Sequence, residues 1–138
     1  MAGSTVQLVA GGDASYLMIM TEAKTYTGSC HCGKVRYEVT TALDKLMQCN
    51  CSICSRAGYL MSFVQDAQFK LLAGEDATTD YLFNKRNVHH LFCTTCGIRS
   101  YGWGTGKDGS KMYMINVRCL EGVEHDTLEF KKVDGKSF

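Results

Sequence analysis

Seven of the eight cysteines in this 138-residue chain fall in three tight groups. They are Cys30-His31-Cys32, then Cys49-Asn50-Cys51-Ser52-Ile53-Cys54, then Cys93-Thr94-Thr95-Cys96; Cys119 stands alone. Thiolates at such spacings do metal chemistry. Two sulfurs on one tetrahedral zinc, each about 2.3 Å from the ion, sit roughly 3.8 Å apart. In extended backbone, residues i and i+2 point to one face, so C-x-C can supply that distance. C-x-x-C supplies it from a turn, and a following glycine helps because it accepts positive φ. Gly33 follows Cys32 and Gly97 follows Cys96.

Each glycine-followed pair is two ligands short of a closed site, and together they make four. A structural zinc takes four protein ligands and excludes solvent. The middle group offers three cysteines without such a glycine, which is the ligand number of a catalytic zinc with an open position. Four plus three is the simplest partition, and it leaves Cys119 out. One four-ligand site with three spare thiols, or sites that mix the groups, would use the same residues.

Three thiolates on Zn²⁺ leave a net charge of −1. Such a metal is a weaker Lewis acid than one held by neutral histidines, and it prefers a soft fourth ligand. A substrate thiol suits it, because a coordinating thiol is deprotonated outright. The sulfur could then attack a carbonyl carbon, or leave from an adduct in the reverse direction. No H-E-x-x-H or comparable hydrolase motif occurs, and no general base is recognisable.

The elements that position these groups belong to a chain the size of one ordinary domain. Some 45% of its residues are hydrophobic, so size alone does not oblige it to take a metal. The formal charge of +1 argues against an obligate nucleic-acid clamp or a polybasic membrane binder. Proline is absent, so no proline-rich docking segment is present. The first twenty residues lack a basic start, and Tyr16 to Met20 is too short for a signal-peptide core. No stretch reaches the roughly 18 to 20 apolar residues of a membrane helix. These features point to the cytoplasm, where thiols stay reduced and clustered cysteines bind metal rather than form disulfides.

Residues 1–24 read as a flexible leader, with Gly11-Gly12-Asp13 as a breaker and Met20 as a candidate original start. Residues 25–138 read as one mainly β domain. Lys34 to Val39 alternates polar and apolar, and Tyr59 to Val64 and Phe69 to Ala73 are strand candidates. Asp80 to Asn84 and Val88 to Phe92 flank Lys85-Arg86-Asn87 as a hairpin. Ile98 to Tyr101 and Met112 to Val117 are further strands, separated by the glycine-rich run Gly102 to Gly109. The one expected helix is a turn or two after Cys54.

Taken together, the cysteine groups and their flanks resemble the glutathione-dependent formaldehyde-activating enzyme family, also called the CENP-V/GFA domain family. The marks are Gly28-Ser29-Cys30-His31-Cys32-Gly33-Lys34-Val35-Arg36-Tyr37, Cys49-Asn50-Cys51-Ser52-Ile53-Cys54-Ser55-Arg56, and His90-Leu91-Phe92-Cys93-Thr94-Thr95-Cys96-Gly97. The match runs from about Tyr26 to about Val123, and the order of the three blocks is specific where a single C-x-x-C would not be. The resemblance implies an Mss4-like fold of coiled β-sheets with very little helix, stabilised by zinc. It implies two Zn²⁺ per chain, with Cys30, Cys32, Cys93 and Cys96 at a structural site and Cys49, Cys51 and Cys54 at a catalytic one. It implies carbon–sulfur lyase activity, the condensation of glutathione with formaldehyde to S-(hydroxymethyl)glutathione; some members act on other adducts or have chromatin-related roles.

The remaining candidates have both functional and plain readings. His31 is expected to point away from the metal as a surface residue. His90 is either an acid/base or second-layer donor, or a packed histidine; His89 is expected to be solvated. Arg56 would suit the two carboxylates of glutathione, or lie solvated on a helix face. Lys85, Arg86 and Arg99 could serve the same end. Trp103 reads as a cap on the core and Cys119 as an inert buried thiol. The expected function is therefore a lyase acting on a small thiol, such as glutathione, and an aldehyde or thiol adduct. The rivals are a zinc-dependent protein- or nucleic-acid-binding module and a redox sensor using Cys51 and Cys54.

Overall fold

Strand alternation places the core. The computed structural model describes residues 23–82 and 87–137. Strand β2 (Arg36–Thr41) turns Tyr37, Val39 and Thr41 inward and the residues between them outward, with Tyr37 and Val39 fully buried. It is flanked by β1 (Lys24–Ser29) and β5 (Phe69–Ala73) in a three-stranded antiparallel sheet of order β1-β2-β5. Its partner sheet has seven strands, β10-β3-β4-β9-β8-β7-β6. These are β3 (Leu46–Cys49), β4 (Met61–Gln65), β6 (Thr78–Tyr81), β7 (Val88–Cys93), β8 (Tyr101–Thr105), β9 (Lys111–Asn116) and β10 (Phe130–Val133). The fold is mainly β, and the one α-helix among the described residues, α1, spans six residues, Ser52–Ala57.

The core joins Tyr37 and Val39 of the small sheet to Val64, Leu91, Tyr101 and Ile115 of the large one. Aromatic rings fill its centre: Phe69 stacks on Tyr113 with centroids 4.0 Å apart, and Tyr37 meets Tyr101 edge-on at 5.6 Å. The Tyr37 hydroxyl donates to the Ser100 carbonyl at 2.9 Å, so its buried polar end is satisfied. Across the β1–β2 ladder Tyr37 faces Gly28, and its ring occupies the space a Cβ there would need.

Several expected elements shift. The helix does not follow Cys54 but carries it. Cys51 is its N-cap, with Sγ accepting from the Cys54 N–H, and Gly58 ends it at φ 70° with its N–H bonded to the Cys54 carbonyl. The glycine-rich run is not a separator throughout. Gly102 and Gly104 lie within β8, where a side chain at Gly102 would strike the carbonyl of His89 on β7. Ile98–Ser100 precedes the strand instead of forming it. Three strands were not read from the sequence: β1 starts at Lys24, inside the expected leader, and β3 and β10 are short and lack alternation. Residues 1–22 of the leader, and Phe83, Asn84, Lys85 and Arg86 of the expected hairpin, lie outside the described residues; β6 and β7 do pair antiparallel. No helix among the described residues is long and apolar enough to cross a membrane.

Candidate metal centres and their pockets

Two loops built alike bring four cysteines together. In each, the first cysteine's N–H bonds a carbonyl five residues on, Cys30 to Val35 and Cys93 to Ile98, both at 3.1 Å. Gly33 at φ 85° and Gly97 at φ 78° make these turns possible, and both face open space, so backbone conformation alone calls for glycine. Lys34 Nζ donates to Thr95 Oγ1 at 2.9 Å and ties one loop to the other.

The sulfurs of Cys30, Cys32, Cys93 and Cys96 lie within 4.8 Å of one another. Cys30 and Cys32 are 3.7 Å apart and Cys32 and Cys93 3.6 Å, close to the roughly 3.8 Å edge of a zinc–thiolate tetrahedron. Backbone N–H groups point at the sulfurs, from Val35 to Cys30 and from Thr95 and Cys96 to Cys93, at 3.4 to 3.5 Å. Such donors stabilise thiolate. Cys32 and Cys96 do not ionise alike. At Cys32 the Lys34 N–H lowers the pKa, but desolvation and the neighbouring thiols Cys93, Cys30 and Cys96 outweigh it and raise it to about 11. At Cys96 desolvation is outweighed by N–H groups of Ile98 and Cys32 and by the thiols of Cys93 and Cys30, which bring it down to about 6. The cluster thus shares protons, and a divalent cation would replace them. The donor set fits a closed zinc site.

The second group is Cys49, Cys51 and Cys54, again within 4.8 Å. Cys49 ends β3, Cys51 caps α1 and Cys54 sits in its first turn, so a strand and a helix converge on one point. Burial, with Cys51 and Cys49 alongside, pushes the Cys54 thiol up. A cation is needed here too if all three are to be thiolate, and the set of three soft donors suits zinc. Among the described residues no fourth His, Cys, Asp or Glu joins them.

A strap from the C-terminus holds this site. Strand β10 pairs in parallel with β3, and the Asn50 N–H bonds the Val133 carbonyl at 3.1 Å. The Asn50 side chain donates to Asp134 at 2.8 Å and accepts from the Lys136 N–H at 3.0 Å. This lays Gly135 directly against the Cys49 sulfur.

The three sulfurs open on a cavity of about 600 Å³, lined by Met47, Met61, Phe63, Met114, Val88 and His90 among others. His90 is buried, and that burial, followed by the charge of Arg99, lowers its pKa below 6.5. A second cleft, of about 570 Å³, shares Ser52 and Ile53 with the first and contains Arg56, Arg99 and Tyr81. Arg56 donates to the Ser52 carbonyl at 2.8 Å. Arg99 lies 4.9 Å over the Phe92 ring, and its Nη1 is buried without a hydrogen-bond partner among the described residues. Neither guanidinium has an acidic partner among the described residues.

The family described as glutathione-dependent formaldehyde-activating enzyme (GFA) matches residues 25–132. The chain belongs to this family. A crystal structure of a Rhodobacter sphaeroides protein resembles it with a TM-score of 0.69 and 32% identity, covering 78% of this chain and 99% of that one. Against the GFA signature, the structure brings each expected cysteine into one of the two groups, and two clusters that could hold zinc are present. It also brings Arg56 and Arg99 to one cleft and His90 to the cavity beside the three cysteines.

His31 is exposed, as expected. His89 is not simply solvated: it hydrogen-bonds Asp80 and stacks on Trp103 with centroids 3.8 Å apart. Trp103 packs against the core. Cys119 lies in a 3₁₀ turn and is half-buried, and burial together with Cys30 and Cys96 raises its pKa to about 11. Sequence reasoning missed Asn50, Gly135 and the methionine wall; the only available signal was Asn50 between two cysteines.

Proposed function

We propose that this GFA-family protein is a carbon–sulfur lyase that forms or cleaves a thiol adduct such as S-(hydroxymethyl)glutathione. The observation that carries the reading is the group of three cysteines, with no fourth protein donor among the described residues, facing a cavity large enough for substrate. Cys49, Cys51 and Cys54 hold the catalytic zinc; Cys30, Cys32, Cys93 and Cys96 hold the structural one, giving two Zn²⁺ per chain. The catalytic ion, when bound, supplies the positive charge that keeps a substrate sulfur ionised at neutral pH.

The chain's own residues do the rest. Arg56 and Arg99 offer two guanidiniums beside the site that have no acidic partner among the described residues, suited to the carboxylates of glutathione. In the forward direction the substrate sulfur adds to the carbonyl carbon, the C=O π pair moves to oxygen, and that oxygen takes a proton while the thiol proton leaves. His90, kept neutral by burial, lines the cavity and exchanges the proton at the adduct oxygen. The methionines and Val88 present an apolar wall beside the C–S bond. All eight cysteines are free, which suits a reducing compartment such as the cytoplasm.

Calorimetry of the zinc-loaded protein tests this. Glutathione should bind with release of about one proton at neutral pH, as the thiol ionises on binding. S-methylglutathione, which cannot ionise at sulfur, should bind more weakly and release none. Equal binding of the two would sink the lyase reading and favour a zinc-stabilised interaction module.

A further inference from the structure

The cavity at Cys49, Cys51 and Cys54 is built for more than formaldehyde. We propose that the carbonyl partner handled there is an apolar aldehyde of medium size, a straight chain of about six to ten carbons. This rests on the lyase reading and names the substrate class of the same site.

Size and lining carry the argument. Formaldehyde has two heavy atoms and is polar. The cavity, at about 600 Å³, falls among small-molecule sites, which span about 300 to 1,000 Å³. Met47, Met61, Phe63, Val88 and Met114 form most of its wall, Asn87, His90 and Lys136 are its larger polar members, and among the described residues no acidic side chain lines it. Met61 is buried with Cys54 and Tyr59 in a small apolar cluster separate from the main core, and Met47 and Met114 pack against it. Phe63 is 42% exposed, an aromatic ring left uncovered at the mouth. Such surface gains by covering with hydrocarbon and gains little from a one-carbon substrate. Methionine is unbranched and adaptable, so the wall accommodates chains of differing length.

The thiol carrier is the poorer occupant. Glutathione carries two carboxylates and an ammonium, and Lys136 is the one charged side chain among the described lining residues, so most of that charge would be buried against apolar surface at a cost. Its charged ends belong in the neighbouring cleft with Arg56 and Arg99, across Ser52 and Ile53. The sulfur then reaches the three cysteines from one side and the aldehyde chain fills the cavity on the other. The reaction is an addition: the C–S bond forms, the C=O π bond becomes a C–O single bond, the oxygen gains a proton and the sulfur loses one. No oxidant or reductant is consumed.

The test measures acceleration of glutathione–aldehyde exchange over the uncatalysed rate, by exchange NMR on zinc-loaded protein. The series is formaldehyde, butanal, hexanal and octanal. The expected acceleration rises roughly three- to fourfold per added methylene until the cavity is filled, from the transfer free energy of a buried methylene. Phe63→Ser, at a half-exposed site, should lower the hexanal and octanal rates more than the formaldehyde rate. Methyl NMR shifts of Met47, Met61 and Met114 with 1-octanol locate binding independently of turnover. A flat or falling response along the series, with formaldehyde accelerated, overturns the apolar-aldehyde proposal and leaves the lyase reading standing. Methionine shifts with octanol but no acceleration of any aldehyde overturns the lyase reading and, with it, the assignment of an aldehyde to the cavity. Methionine shifts that depend on protein concentration without ligand mean that a second copy covers the wall, and also overturn the proposal.

Discussion

Gly135→Ala should disable the three-cysteine site while leaving the four-cysteine site intact. The added methyl would overlap the Cys49 sulfur and come within 3.5 Å of Cys51 Cβ. Gly135 is not among the glycines at positive φ, so the change does not strain the backbone there. Two responses are open. The Cys49 side chain can leave its rotamer, or the strap can lift. Lifting would break the two side-chain bonds from Asn50, to Asp134 and from the Lys136 N–H. Forced overpacking costs typically about 1 to 3 kcal/mol. Two hydrogen bonds at about 0.5 to 1.5 kcal/mol each give the same range. Either route weakens zinc at this site by about 5- to 150-fold, since 1.4 kcal/mol is tenfold. Competition with a chromophoric chelator, titrated until both ions are removed, reads the two sites separately. The first zinc should leave more readily in the variant and the second as in the wild type, with little change in melting temperature. Unchanged affinity for the first zinc, or equal weakening of both, would refute the placement of the strap against Cys49.

Three further outcomes are expected. Cys93→Ser should unfold or strongly destabilise the domain, because a closed zinc site contributes folding free energy, whereas Cys54→Ser should stay folded and lose activity; thermal melts that fall equally in both would contradict the division of roles. Gly28→Ala should destabilise by about 1 to 3 kcal/mol through the clash with Tyr37, read from urea unfolding. Burial, then Arg99 and more weakly His89, lower the His90 pKa, with Asp80 opposing, so the unfolded state binds the proton more readily than the folded state. Stability should therefore fall as pH drops through and below 6.5, and His90→Gln should reduce that slope relative to the wild type; an unchanged slope would mean that His90 does not charge on unfolding.

How much was legible from the residues depends on the range over which each constraint acts. The cysteine groups were readable because sulfurs two or three residues apart can share a metal through local geometry alone. The glycines after Cys32 and Cys96 were readable for the same reason, and the structure finds both at positive φ. The alternation around Tyr37 and Val39 marked β2 because one buried face imposes period two. The helix was misplaced by a few residues because its start depends on a cap: a thiol is an unusual acceptor, and Cys51 Sγ fills that role for the Cys54 N–H.

Tertiary structure decided the rest. Strand β10 carries no alternation, and its partner β3 lies 84 residues earlier in the Asn50–Asp134 contact, so no local signal links them. That pairing alone brings Gly135 onto Cys49. Met47, Met61 and Met114 come from three strands and read singly as ordinary core, yet side by side they form the wall of a cavity. Arg56 on α1 and Arg99 before β8 are likewise 43 residues apart and meet only across the folded chain. Ligand type and number are local properties of short segments, whereas the shape and polarity of the space beside them arise from strands that only long-range pairing makes neighbours.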